Sequence, residues 1–228
     1  MRAAPGRGIL VGIIVIALIA AVAYTAYAGT SVYQELDSGR QSLVAAQARM
    51  NAAGHSGDPA QLQAASRELK QAEQDFEAAK QRSSSDPALR LTAGLPILGH
   101  QVEAGRHLAA IGADLSRAGE SAAIVAVQLA ALKQKYATRR LTPADLEAAL
   151  KEAQGVAATY STSTKAIGDQ LKAAHAERDL VTTTDLMPPL RDTYVQVDRA
   201  LADADTAFLR YQDVRQVLSD FLGVRLPT

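Results

Sequence analysis

Five stretches of this chain repeat an apolar residue at alternating steps of three and four, with Pro-bearing connectors between them. That spacing keeps one narrow stripe on one side of a helix, so the chain is restricted to helices zipped along seams at shallow angles. The first seam is Val32, Leu36, Leu43 and Met50, and the second is Leu62, Ala65, Leu69, Ala72, Phe76 and Ala79. The third runs Leu108, Ile111, Leu115, Ala118, Ala122, Val125, Leu129, Leu132 and Tyr136. A weaker fourth holds Leu146, Ala149, Ala153, Val156, Tyr160 and Ile167. The fifth is Leu190, Tyr194, Val197, Leu201, Ala204, Phe208, Tyr211 and Leu218, interrupted at Arg215.

The connectors are Gly54 to Pro59, Ser83 to Gln101, Thr138 to Pro143 and Leu180 to Pro189. Asp58-Pro59, Asp86-Pro87 and Thr142-Pro143 each pair an N-cap residue with a proline suited to the first helical position. Short connectors favour antiparallel neighbours within one chain. Helices of about 25 residues rise roughly 37 Å, and those of about 35–40 residues roughly 53–60 Å. The expected fold is all-α: a hairpin over 29–82, a connector over 83–101, a coiled-coil-like antiparallel three-helix bundle over 102–223, and a tail at 224–228.

Ahead of the hairpin, residues 9–28 read ILVGIIVIALIAAVAYTAYA without a charge. About twenty apolar residues suffice to cross a bilayer. Ile9, Leu10, Ile14, Ile16, Leu18 and Ile19 would lie in the hydrocarbon, and Tyr24 and Tyr27 at the outer interface. Residues 1–8 carry Arg2 and Arg7 and no acid, which orients this short flank to the cytoplasm and the bulk of the chain to the outside. Ala26-Tyr27-Ala28 has the form of a signal-peptidase site, but the apolar run exceeds the ~7–15 residues of a cleavable signal, which favours a retained anchor.

Counting the helices outward from the anchor returns two connectors to the membrane-proximal end. Leu95, Pro96, Ile97 and Leu98 from one, and Leu180, Val181, Leu186 and Met187 from the other, could plug the base of the bundle. The competing reading has Pro96 simply starting a helix with a local apolar staple.

The anchor, the alanine-rich hairpin, SSSDPALRLTAGLPILGHQVEAGRHLAA and the closing VLSDFLG together resemble the bacterial domain of unknown function 4012 family. Asp86-Pro87 followed by Leu95-Pro96-Ile97-Leu98-Gly99 is the most specific part of that likeness. The resemblance implies a membrane-tethered N-terminal helical region, followed in relatives by a larger extracytoplasmic domain beyond a Leu-Gly like Leu222-Gly223. It implies no activity.

Chemistry is sparse. With Lys+Arg 24 against Asp+Glu 24 there is no basic excess to track a phosphate backbone, so nucleic acid is not an expected partner. With Cys 0, disulfides and thiolate sites are excluded. His100, Glu103 and His107 fall at helical spacing that could hold a metal, but a solvated helix face is the stronger reading. The run Thr159, Ser161, Thr162, Ser163 and Thr164 reads as a locally weakened helix in preference to a ligand pocket. Asp203 and Asp205, two apart, point to different faces, and the charges of RELKQAEQDFEAAKQR read as a solvated face. The expectation is a non-enzymatic stalk or scaffold of the cell envelope, without cofactor or metal. Its partners would be the lipid bilayer and other envelope proteins, or further copies through the seams. The alternatives are a ligand-sensing bundle, or a piece of a larger envelope protein whose active domain lies elsewhere.

Overall fold

The computed structural model describes residues 29–53, 58–94, 96–136 and 143–212, and their regular structure is helical, with no strand among the described residues. The helices are α1 (29–53), α2 (Pro59–Ser85), α3 (Pro87–Ala93), α4 (Pro96–Tyr136), α5 (Pro143–Asp179) and α6 (Pro188–Tyr211). Each from α2 onward starts on a proline. Proline fits there because the first turn needs no amide donor and its fixed φ is already helical. Asp58 caps α2 by accepting from the Ala60 amide at 2.9 Å. Asp86 caps α3 through the Ala88 amide at 2.9 Å. Thr142, the third expected cap, lies outside the described residues, as do residues 1–28, Leu95 and Leu218.

The connector expected over 83–101 is largely helical, and Pro96 starts a helix, as the competing reading had it. Ser83 and Ser84 donate their hydroxyls to the Lys80 carbonyl and Ser85 to that of Gln81, so the serine run completes α2. Pro87 and Pro96 then act as helix starters, placing α3 and the first turns of α4 inside the expected connector. Gly99 permits that compression, since a Cβ there would strike the Ala93 carbonyl at the end of α3.

Packing is organised around α4. One set of apolar clusters joins α4 to α1 and α2: Val32, Leu36, Ala72, Phe76, Ala79 and Leu89 with Ala109 and Ala113, then Ala46 and Leu69 with Ala123. The set ends at Ala53, Leu62 and Ala130. Another set joins it to α5 and α6, with Leu108, Ile111 and Leu115 against Ile167, Leu171, Ala174 and Leu201. Farther along, Val125 and Leu129 meet Tyr160. These pairings run α1, α2, α4, α5 and α6 alternately up and down. α1 and α2 on one side and α5 and α6 on the other thus share α4 as a common member.

The two faces of α4 differ in size. Toward α1 and α2 it presents Ala109, Gly112, Ala113, Gly119 and Ala123; toward α5 and α6 it presents Leu and Ile. Small residues let backbones approach closely enough to seat the Phe76 ring between α1 and α4. Over 98–132, α4 is also long and apolar enough to cross a membrane by length and composition. It carries Glu103, Arg106, Asp114, Arg117 and Glu120 within that span and is packed by helices on both faces, which is the composition of a bundle's central helix.

Candidate functional site

The described residues among those expected to act together lie where α2, α5 and their successors turn, at the end of the molecule where α1 begins. Leu186 and Val181 are buried in the α4–α5–α6 core and close this end from inside. The others expected there behave differently: Leu98 is 41% exposed, Met187 48% and Leu180 62%. Pro96 and Ile97 belong to the first turn of α4, with side chains outside the described set. Of the five described side chains that the connectors' hydropathy assigns to a plug, Val181 and Leu186 are buried and Leu98, Leu180 and Met187 are not. A turn of so few residues cannot aim every apolar side chain inward, and those left over face solvent.

What fixes the turn is polar. Gln101, buried on the first turns of α4, donates its amide to the Asp185 carbonyl at 2.8 Å. Its carbonyl accepts from the Met187 amide at 3.0 Å. Asp185 itself adopts a left-handed conformation with φ 63, which aspartate tolerates better than most residues. Arg191 returns a guanidinium hydrogen bond to the Leu186 carbonyl at 3.2 Å. Sequence reasoning missed Gln101, because a lone glutamine near a helix start carries no signal until its partner loop is placed beside it.

Farther along α4 lies a polar belt. Arg117 donates to Glu73 at 2.8 Å, to Glu77, and to Asp114 at 3.1 Å. Burial acts to lower the guanidinium's pKa, yet hydrogen bonds to Glu77 and Glu73 outweigh it and hold it above its usual value. Asp114 is buried, and loss of hydration raises its carboxyl above the ordinary 3.8 despite Arg117 alongside. The α2 charges, read as a solvated face, also meet neighbouring helices: Glu73 and Glu77 reach across to α4, and Asp75 accepts from Ser38 of α1 at 2.8 Å. Alternation of charge along one helix does not reveal which charges meet a neighbour.

His100, Glu103 and His107 do not converge. His100 and Glu103 are exposed, whereas His107 is buried with Nδ1 2.6 Å from the Glu177 carboxylate on α5. Among the described residues no three side chains are grouped to hold a metal ion. The hydroxyls of Thr159, Thr162 and Thr164 bond back to the carbonyls of Gly155, Ala158 and Tyr160, within α5 itself. Ser163 is buried and Ser161 exposed, so the run lines no common pocket. Asp203 is exposed, and Asp205 pairs with His175 at 2.9 Å. A groove along the end of α2, lined by Ala78, Gln81, Arg82, Ser85, Asp86 and Pro87, is wide open to solvent.

No protein-family model matches the chain, and no curated protein or solved structure matches it at the level of significance required.

Proposed function

We propose that the chain is a membrane-anchored, non-enzymatic spacer of the cell envelope: residues 9–28 hold it in the bilayer, and the helices stand outside as a rod. In this reading residues 1–8 remain cytoplasmic, and the resemblance to the domain of unknown function 4012 family reflects the same tethered topology. The observation that carries it is α4. It runs 41 residues without a break, about 60 Å at 1.5 Å per residue, and is gripped by helices on both faces. A helix so supported resists bending where a flexible linker would not. Its N-terminal end is also the end where α1 begins, directly after the uncharged run. The hairpin and the coiled-coil-like bundle serve in this reading as two layers of bracing around one central strut.

The natural absence of cysteine makes the test direct. Single cysteines replacing Leu98 and Gln134, near opposite ends of α4, are spin-labelled in the full chain reconstituted into nanodiscs. Leu98 is expected at the bilayer surface and Gln134 about 55 Å away along the normal. In spheroplasts the Gln134→Cys variant is expected to react with a membrane-impermeant maleimide without permeabilisation. A Gln134 label close to lipid refutes the spacer, and reaction only after permeabilisation refutes the orientation.

A further inference from the structure

The base of the bundle leaves four large apolar side chains in solvent: Leu91 on α3 is 80% exposed, Leu180 62%, Met187 48% and Leu98 41%. They come from α3, the first turn of α4, and the α5–α6 turn, and all stand at one end. Leu36 shares a cluster with Ala113, Ala46 with Ala123 and Ala53 with Ala130, which sets α4 77 residues ahead of α1 at equal height. On that offset the start of α4 projects past Gly29, at the N-terminal end of α1, by about ten residues, just under three turns or roughly 15 Å. Leu98 and the Gln101-clamped turn around Met187 therefore sit beyond the first described residue of α1, at its N-terminal end.

Resting on the anchored reading above, we infer that this end is a lipid-contacting foot: Leu91, Leu98, Leu180 and Met187 insert shallowly into the outer leaflet around the anchor. The occupant is the bilayer because the sequence that leads into α1 at this end is the uncharged run 9–28, which on the anchored reading brings lipid to this end. Exposed Arg90, Asp179, Asp185 and Arg191 on the same segments limit the depth to the boundary of headgroups and acyl chains. The Gln101 clamp gives the foot its stiffness, since it fixes the backbone on both sides of Leu186 and so presents Met187 in one place. A foot of this kind would hold a single-anchor rod upright, where one membrane helix alone leaves it free to pivot.

The test uses the full chain in phosphatidylcholine vesicles, with an environment-sensitive fluorophore on single cysteines replacing Leu91, Leu98, Leu180 or Met187. Ile124 and Leu209, exposed apolar residues higher on the rod, are the controls. Nitroxide carried near the headgroup end of the acyl chains is expected to reduce emission about twofold at the four foot positions and to leave the controls unchanged. Serine at the other three positions is expected to abolish the quenching of the Leu98 probe while the melting temperature stays constant. Anchored protein, floating with the vesicles after carbonate washing, whose foot probes match the controls would overturn the foot and leave the anchor standing. Protein that stays out of the vesicle fraction overturns the anchor, and the foot with it. A fall in melting temperature for the serine variant would also overturn the foot, because it would make these side chains core.

Discussion

The seat of Phe76 offers the sharpest check on how the helices are held together. Its ring is buried where α1, α2 and α4 meet, with Gly39 on one side and Gly112 on the other. A Cβ added at Gly112 would stand 2.6 Å from two ring carbons, and one added at Gly39 would stand 3.0 Å away, so the ring has no free side toward which to yield. Alanine in a helix interior gains about 1 kcal/mol over glycine. Forcing a group into a filled core loses about 1–3 kcal/mol. Gly112→Ala is thus expected to be net destabilising, by up to about 2 kcal/mol. Gly105 lies one heptad earlier on the same helix, and a Cβ there meets nothing within 4 Å. Gly105→Ala is expected to keep the whole propensity gain. The two variants should differ by about 1–3 kcal/mol, at about 2–4 °C in melting temperature per kcal/mol for a chain of this size. Thermal unfolding of the full chain in one detergent, followed by helical circular dichroism, measures the gap. Phe76→Leu placed on Gly112→Ala should recover part of the loss, since a branched aliphatic chain can turn aside from the new methyl. If Gly112→Ala melts at or above Gly105→Ala, the wedged ring is refuted.

Other expectations follow from the polar contacts. Gln101→Ala removes both hydrogen bonds to the α5–α6 turn, a loss of about 1–3 kcal/mol, and should speed amide exchange over 185–187 well before the middle of α4 is affected; unchanged exchange there would count against the clamp. Asp114 has a carboxyl raised by burial, so the folded chain holds its proton more tightly than the unfolded one. Its contribution to stability is therefore lost as pH rises from about 3.8 through the raised folded value, and stays lost at neutral pH. Asp114→Asn should accordingly melt higher at neutral pH and show a flatter acid profile, and a variant less stable at neutral pH contradicts the burial argument. Arg117→Met leaves Glu73, Glu77 and Asp114 facing one another without their shared cation, with an expected loss of about 1–3 kcal/mol that is largest at low salt in urea titrations. Equal melting of this variant and the parent would make the belt incidental.

How much of this was readable beforehand divides along physical lines. The α2 seam, Leu62 through Ala79, names the residues that are buried, and the prolines at 59 and 87 mark true helix starts, because hydropathy contrast and amide chemistry are local properties. The α4 seam, in contrast, describes only the face toward α5 and α6. The face toward α1 and α2 is built from Ala109, Gly112, Ala113, Gly119 and Ala123, which differ little in hydropathy from the alanines on solvated helix faces. What makes that face an interface is closeness of approach, a property of two helices together that no single stretch displays. The same limit applies at the base. Apolar residues in a connector announce that something will be covered, but Leu186 and Met187 are neighbours with opposite fates, one in the core and one in solvent. Their separation is decided by the left-handed turn at Asp185 and by a glutamine some eighty residues away, so a side chain's surroundings there are set by the tertiary partner and not by its own chemistry.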